Sequence, residues 1–199
     1  MQGSAMNYMT KPTGSATFQD ILDAPDGMLA QIINGELILV PNGAFDHQSA
    51  GDELVTYLRS SFRKTRFKPG GWSIVSEMLV LLIDGETYRP DVSGWRTETL
   101  PKAPDAFPVE TVPDWVCEVL SPSTRGIDRT KKMPIYAQSG VSHYWIVDPK
   151  ARSLEVFRLE GENYTLTCVG SEDDVIAFEP FEDVQIDLQY LWIDGDQAD

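Results

Sequence analysis

The sequence contains little cysteine, little histidine and no long apolar run. Its two cysteines, Cys117 and Cys168, lie far apart and outside any spacing typical of metal ligands. We therefore expect two small buried hydrophobic residues, and neither a disulfide framework nor a zinc site. The longest apolar run, "MLVLLI" at 78–83, is too short for a membrane span, which needs about 20 residues. The first thirty residues also lack the continuous apolar segment of a signal peptide. These absences predict a cytoplasmic protein without a membrane partner.

Basic residues are also scarce, with 16 Lys and Arg against 31 Asp and Glu and a formal net charge of −15. An acidic chain argues against nucleic-acid binding, because phosphate contacts gain their affinity from Lys and Arg. The charge is unevenly distributed, however, since residues 159–199 carry 12 acids and no base. Many of the bases lie in two clusters, at 59–68 and 125–132. Such runs are usually solvated faces, but these two could form a local positive rim on an acidic body.

The size and composition predict one folded domain. With 199 residues, of which 42% are hydrophobic, the chain can bury one sizeable core. We expect residues 1–16 to form an N-terminal extension and residues 17–199 to form a single domain. Strand-like runs interleaved with helices predict an α/β fold of mixed α+β type, with helices packed against a sheet.

Local patterns in the first half of the chain predict one short helix, one long helix and several strands. After a helical start near "TFQDILDA", the segment "LAQIINGELILV" is typical of a hairpin around Asn34-Gly35. The segment "DHQSAGDELVTYLRSSFRK" repeats apolar residues at three- and four-residue steps, which predicts a helix. "WSIVSEMLVLLIDGETYRPDVSGW" then predicts two strands around Asp84-Gly85.

The second half is predicted to hold a buried strand, a helix and further strands. "DWVCEVL" reads as the strand, "SPST" as a turn with Ser121, Ser123 and Thr124, and "RTKKMPIYAQ" as a helix closed by Gly140. "SHYWIVD", "SLEVFRL" and "NYTLTCV" follow as strands, with Asp148 as a turn former at the end of the first. We expect the acidic tail behind them to be rich in strands.

Two carboxylates interrupt apolar strand patterns. Asp91 shares one side of its strand with Ser93 and Trp95, and Glu118 interrupts "WVCEVL". A buried ionised carboxylate must be paired, raised in pKa or bound to a cation. For either acid alone, a structural partner such as an arginine is as good an interpretation as a functional role. If the two strands are neighbours, however, the acids could converge on one Mg²⁺.

The two motifs "RPDVSGWR" and "PDWVCEVLSPSTRGIDRTKKMPIYAQSGVSHYWIVDP" resemble the Uma-type family of restriction-endonuclease-like proteins of bacteria. This family is a branch of the PD-(D/E)XK phosphodiesterase superfamily. The resemblance is densest over residues 72–159 and weaker toward "INGELI", His47 and "EPFEDVQIDLQYLW". It implies a restriction-endonuclease-like fold, in which helices flank a central mixed β-sheet and extra strands follow at the C-terminus.

The resemblance implies that Asp91 and Glu118 bind a Mg²⁺ or Mn²⁺ ion and that the third catalytic residue is Lys132. A strict Glu-x-Lys would place lysine at position 120, where this chain has Leu120. Asp128, Lys132 and Tyr136 follow one another at steps of four, so on a continuous helix they share one face. Because Pro134 disfavours a helix interior, we expect the helix to begin near Arg129 or later, with Asp128 as its N-cap.

Several further residues are candidates for supporting roles. Glu36, Glu77 and His47 could add ligands or a base to the site, and each is as easily an exposed strand residue or a packed histidine. In the second basic cluster, Arg125 and Arg129 are expected to border the cleft and contact phosphate.

The sequence therefore predicts a Mg²⁺-dependent DNA endonuclease, with DNA as partner and a homodimer kept as an alternative to a monomer. A rival hypothesis is a non-catalytic binding module on a degenerate nuclease fold, which the displaced lysine and the acidic composition favour. A carboxylate-pair glycosidase is a third interpretation. Nothing aromatic near either acid marks a sugar cleft, which argues against it.

Overall fold

The computed structural model describes residues 14–41, 43–62, 71–122 and 124–192. The helices in these ranges are α1 (Phe18–Leu22), α2 (Phe45–Phe62), α3 (Arg125–Ile127) and α4 (Met133–Gln138). The first six strands are β1 (Met28–Ile33), β2 (Glu36–Pro41), β3 (Trp72–Ser76), β4 (Val80–Leu81), β5 (Thr87–Tyr88) and β6 (Val92–Arg96). The remaining six are β7 (Trp115–Val119), β8 (His143–Asp148), β9 (Ser153–Glu160), β10 (Asn163–Ser171), β11 (Val175–Ile176) and β12 (Ile186–Asp187).

A six-stranded mixed sheet lies at the centre, in the order β10-β9-β8-β7-β6-β3. Its strands pair antiparallel except β7 and β8, which run parallel. A parallel pair needs a crossover connection, and α3 and α4 lie in the chain between these two strands. The crossover therefore carries Asp128, Lys132 and Tyr136 past the strand that holds Glu118.

A second sheet of four strands, in the order β2-β1-β5-β4, packs beside the first. Its main hairpin turns at Asn34 and Gly35, with φ of 53° and 69°, as the sequence predicted. The Glu86 carboxylate accepts hydrogen bonds from both of these backbone N–H groups, at 2.6 and 2.9 Å. This contact fixes the hairpin against the loop that leads into β5.

The two faces of the central sheet bury different neighbours. One face packs against α2 and against the segment that follows β10, defined here as the C-terminal segment (residues 172–192). The other face packs against the second sheet and α4. Side chains alternate between faces along a strand. Cys117 and Val119 therefore face α2, whereas Val116 and Glu118 face the second sheet and α4.

The prediction of two strands around Asp84-Gly85 was wrong, because four strands occupy residues 72–96. Glu77 has φ of 49°, a left-handed conformation that ends β3. Pro90 lacks a backbone N–H and separates β5 from β6. Asp84 and Gly85 do form a turn, with φ of 56° and 82°, but it joins β4 to β5 of the second sheet.

The predicted helix start near Arg129 was also wrong. Helical conformation begins at Arg125, passes through a π-helical turn at Asp128–Lys132 and continues in α4. In that turn the Met133 N–H donates to the Asp128 carbonyl, five residues back. Pro134 therefore follows just after the π-helical turn, where the regular pattern of hydrogen bonds to the fourth residue back is already interrupted. Gly140, with φ of 84°, follows the helix end as predicted.

The predicted extra strands at the C-terminus are present but short, since β11 and β12 hold two residues each. Most of the C-terminal segment is irregular, and it packs on the central sheet through buried apolar side chains. These are Phe178, Phe181, Ile186, Leu188, Leu191 and Trp192. Burial of these side chains holds the segment in place without a continuous strand ladder.

Parts of three predictions fall outside the described residues. These parts are residues 1–13 of the expected extension, residues 63–68 of the first basic cluster, and Ser123. Across the ranges that the structure does describe, no helix is both long and apolar enough to cross a membrane.

Candidate active site

Asp91 and Glu118 lie side by side on one face of the central sheet. The pair Val92 and Cys117 is the last one in register between β6 and β7, and the next step outward brings Asp91 opposite Glu118. Directly opposed residues of an antiparallel pair place their Cβ atoms about 4.5–5.5 Å apart. The Asp91 Oδ2 also accepts the Val119 backbone N–H at 2.6 Å, which holds its carboxylate against β7.

Glu118 is buried and makes two strong side-chain contacts from the crossover. The Lys132 ammonium donates to Glu118 Oε2 at 2.9 Å, and the Tyr136 hydroxyl donates to Oε1 at 2.6 Å. Lys132 also lies 3.2 Å from Asp128 Oδ1. The structure therefore brings Asp128, Lys132 and Tyr136 to one face, as their spacing predicted. The side chains of Glu118, Asp128 and Lys132 are all at most 4% exposed.

Charge in this cluster perturbs the pKa values of its members. Burial raises the pKa of Glu118 to about 8, and the repulsion from Asp128 and Asp91 adds to this effect, while Lys132 opposes it. Burial alone would lower the pKa of Lys132, but the charges of Glu118, Asp128 and Asp91 outweigh it and raise that pKa. The lysine is therefore held as a cation in a site crowded with carboxylates.

His47 lies beside Asp91, in the first turn of α2 as the sequence predicted. Its Nε2 is 3.3 Å from Asp91 Oδ1. Burial would lower the pKa of His47, but the hydrogen bond and the charge of Asp91 outweigh it and raise the pKa. Both oxygens of Asp91 are thus held in place, one by His47 and the other by the N–H of Val119.

These side chains open on one cleft of about 380 Å³. Asp91, Glu118, Asp128, Lys132 and His47 all line it. The opposite wall comes from the second sheet and from the loop before α2. Every lining residue precedes position 133. The acid-rich stretch from residue 159 onward, as far as the structure describes it, therefore contributes nothing to the cleft wall.

The supporting acids take different positions. Glu77 contacts Gln48 Nε2 at 3.3 Å and lines a small adjoining cavity with His47 and Asp91. Glu36 lies 3.6 Å from Lys131 and does not line the cleft. Glu77 is therefore near the site, whereas Glu36 lies next to Lys131 of the crossover and outside the cleft.

Arg125 and Arg129, predicted to contact phosphate, are both paired with carboxylates. Arg125 Nη2 lies 2.7 Å from Asp148 Oδ2, and Arg129 forms two hydrogen bonds with Glu155 at 2.9 and 2.8 Å. Neither arginine lines the cleft. A phosphate would have to compete with these partners, and the phosphate contact stays a prediction.

Two turn predictions hold. Ser121 and Thr124 hydrogen-bond to each other at 3.0 Å ahead of α3. Asp148 accepts the backbone N–H groups of Lys150 and Ala151 at the end of β8, both at 3.1 Å. The Ser121 and Thr124 side chains also line the cleft.

Sequence reasoning missed two polar residues on the cleft wall. Gln31 of β1 and Arg89, two residues before Asp91, both line the cleft. The Gln31 side chain accepts the Arg89 backbone N–H at 3.3 Å. Arg89 could have been found from its place in "RPD". Gln31 had no sequence signal, because the packing of the second sheet over the cleft decides its position.

The donor set suits a hard divalent cation. Mg²⁺ is commonly held by one or two carboxylates together with water and substrate phosphate, and Asp91 and Glu118 supply two oxygen donors on one face. Among the described residues, no group of three or more His, Cys, Asp or Glu side chains forms a complete metal cluster. A cation here would therefore depend on water or phosphate oxygens to complete its coordination.

The mixed sheet flanked by helices, with an aspartate and a glutamate on neighbouring strands and a lysine on the crossover, agrees with the expected restriction-endonuclease-like fold. The chain belongs to the Uma2 family, described as "Putative restriction endonuclease", whose model matches residues 16–189. The predicted family resemblance and fold class are confirmed. Family membership supports a nuclease-type hydrolase.

A solved structure has a similar fold. It is the crystal structure of "a putative nuclease belonging to DUF820" from Anabaena variabilis, with a TM-score of 0.71 and 21% sequence identity. The match covers 88% of this chain and 97% of that chain. No curated protein matches this chain.

Proposed function

We propose that the protein is a metal-dependent DNA endonuclease that hydrolyses phosphodiester bonds in the cleft. The observation that carries the proposal is the convergence of Asp91, Glu118 and Lys132 on this one cavity. Two carboxylates and an ammonium are the groups that phosphodiester hydrolysis needs, because an anionic transition state must be stabilised and a water must be activated.

Asp91 and Glu118 would hold a Mg²⁺ or Mn²⁺ ion through their facing oxygens. When bound, such an ion lowers the pKa of a water and neutralises a phosphate oxygen. Asp91 is already positioned for this role, because Val119 and His47 hold its two oxygens. Each carboxylate oxygen has a second lone pair, so these contacts leave room for a ligand bond.

Lys132 would act on the water or on the phosphate. Its ammonium lies at Glu118 and remains cationic, so it can orient an attacking water or pair with a phosphate oxygen. Asp128 and Tyr136 act as positioning residues, since Asp128 contacts Lys132 and Tyr136 contacts Glu118. The lysine reaches the site from the crossover, so Leu120 can occupy the position of the usual lysine.

The proposal is tested by titrating Mg²⁺ and Mn²⁺ against supercoiled plasmid and single-stranded DNA. We expect wild type to cut and Asp91→Asn to lose at least about 10²-fold in rate. The matched control is Asp114→Asn, because Asp114 also follows a proline but accepts the Arg96 backbone N–H and does not line the cleft. Absence of cleavage by wild type with either metal on any DNA form would overturn the proposal.

One observation favours a second candidate, the non-catalytic binding module. Both oxygens of Glu118 are already engaged, by Lys132 and by Tyr136, and Lys132 itself is only 3% exposed. A buried pair of this kind also serves as a purely structural contact. Under this alternative, Asp91→Asn would bind the natural partner as wild type does, and no nucleic acid would be cut.

A further inference from the structure

Among the described residues, three cationic side chains line the cleft, and two of them are paired with carboxylates. His47 faces Asp91 at 3.3 Å, and Lys132 faces Glu118 and Asp128 at 2.9 and 3.2 Å. The third is Arg89. Within the described part of the chain, Arg89 has no carboxylate at ion-pairing distance. On the described part of the cleft wall, Arg89 is therefore the cation that is not in an ion pair, and the charge of Glu77 acts on it only at longer range.

One nitrogen of the Arg89 guanidinium donates a hydrogen bond to the backbone, and another has no hydrogen-bond partner. Its Nη1 donates to the Glu77 backbone carbonyl at 2.8 Å, while its Nε is buried without a hydrogen-bond partner. Burial lowers the pKa of Arg89, which reflects the cost of keeping this cation from water. A buried donor without a partner typically costs about 1–3 kcal/mol.

The backbone around Arg89 fixes its direction. Glu77 adopts φ of 49°, and from this left-handed position its carbonyl accepts from Arg89 while its N–H donates to the Asp91 carbonyl at 3.0 Å. Left-handed conformations of non-glycine residues persist where the surroundings enforce them. One residue thus aligns the guanidinium with the proposed metal-binding acid.

We propose that Arg89 binds a backbone phosphate of the DNA in the cleft, at or next to the phosphate that is cut. This inference rests on the proposed nuclease function. The planar guanidinium offers several N–H donors to phosphate oxygens, and its neighbours on the wall place it beside Asp91. Arg125 and Arg129 differ, because carboxylates already occupy their guanidinium groups.

The test measures binding of a short labelled duplex with Ca²⁺ in place of Mg²⁺, under conditions in which no cleavage is detected. We expect Arg89→Gln to weaken binding about tenfold or more and to reduce the salt slope by about one. Arg89→Lys should restore part of the affinity. Arg158→Gln is the charge-matched control, because Arg158 is exposed on β9 and pairs with Glu160 and Glu179; it should change affinity less than about twofold.

A second measurement identifies the contact itself. Each phosphate of the duplex is replaced in turn by a neutral methylphosphonate. At one position we expect the methylphosphonate to weaken binding by wild type but not by Arg89→Gln. The variant has already lost the contact that this substitution removes. Two results would overturn the inference if wild type binds DNA. One is that the affinity losses from Arg89→Gln and from the methylphosphonate add at every position, and the other is that a folded Arg89→Gln binds as wild type does. If wild type bound no DNA at all, the proposed function would fail together with it.

Discussion

Lys132 and Glu118 form an ion pair of 2.9 Å in which both side chains are at most 4% exposed. The lysine comes from the crossover after β7 and the glutamate from β7 itself, so the chain returns within 14 residues to neutralise its own buried acid. Asp128 adds a second carboxylate to the same ammonium. One cation thus balances two buried acids, and several measurable properties depend on it.

Lys132→Met should reduce both stability and cleavage. Without the ammonium, Glu118 and Asp128 lose their cationic partner in a buried site. The removal of one partner of a buried ion pair typically costs about 3–5 kcal/mol, and we expect this cost above the raised pKa of Glu118, about 8, and a smaller one at lower pH, where Glu118 takes up a proton. Chemical denaturation in EDTA measures this loss, and the cleavage rate should fall by about 10²-fold or more. The double variant Lys132→Met with Glu118→Gln should recover part of the stability; no recovery would mean that the two side chains are not coupled.

The stability of the metal-free protein should decrease as pH rises. The pKa of Glu118 is raised to about 8 in the folded state, so the folded protein binds this proton more tightly than the unfolded chain does. The resulting stabilisation is present below the ordinary glutamate pKa and is lost as pH rises toward 8, by at most about 1.4 kcal/mol per pH unit. Denaturation in EDTA between about pH 5 and about pH 8 should show this slope in wild type and a flatter one in Glu118→Gln. Equal slopes would contradict the assignment.

His47→Gln should weaken the metal site without unfolding the protein. His47 holds one oxygen of Asp91, and loss of such an outer contact typically reduces metal affinity or activity about 10- to 100-fold. A Mn²⁺ titration with the cleavage rate as readout separates a loss of metal affinity from a loss of maximal rate. The control is His143→Gln, because His143 pairs with Glu179 away from the cleft. Equal effects of the two substitutions would count against a role for His47.

Gly170→Ala should destabilise the fold and leave the cleft chemistry intact. A Cβ at Gly170 would lie 2.7 Å from Phe178 and 2.8 Å from Leu188 of the C-terminal segment. Overpacking of this kind costs about 1–3 kcal/mol. Gly51→Ala is the opposite case, since its Cβ in α2 would meet only Val119 Cγ2 at 3.9 Å. It should stabilise the protein by about 0.5–1 kcal/mol. If Gly170→Ala leaves the thermal unfolding temperature unchanged, the C-terminal segment does not pack against Gly170 as described.

The sequence allowed the fold class to be predicted, and it singled out the central residues of the candidate site, whose roles stay a prediction. Asp91 and Glu118 were visible because a charge in an apolar strand needs a partner. Lys132 followed from its helical spacing and from the family resemblance. These signals depend on nearby residues in the sequence, so they can be used without knowledge of the tertiary fold.

The remainder depends on contacts between distant parts of the chain. Arg125 and Arg129 looked available for phosphate, but their carboxylate partners Asp148 and Glu155 lie on β8 and β9. The left-handed turn at Glu77 divides an apolar run whose composition favoured continuous strand. Side-chain spacing alone contains neither kind of information, because tertiary packing decides both.

The proposed chemistry depends most directly on a cation between Asp91 and Glu118. Crystals soaked in Mn²⁺ and measured near the manganese absorption edge would locate the ion by its anomalous signal. We predict one peak in the cleft within coordination distance of both carboxylates, about 2.0–2.3 Å, and no peak there in Asp91→Asn. A Mn²⁺ that binds elsewhere, or a cleft that stays empty at saturating Mn²⁺ while Lys132 keeps its contact with Glu118, would contradict the account.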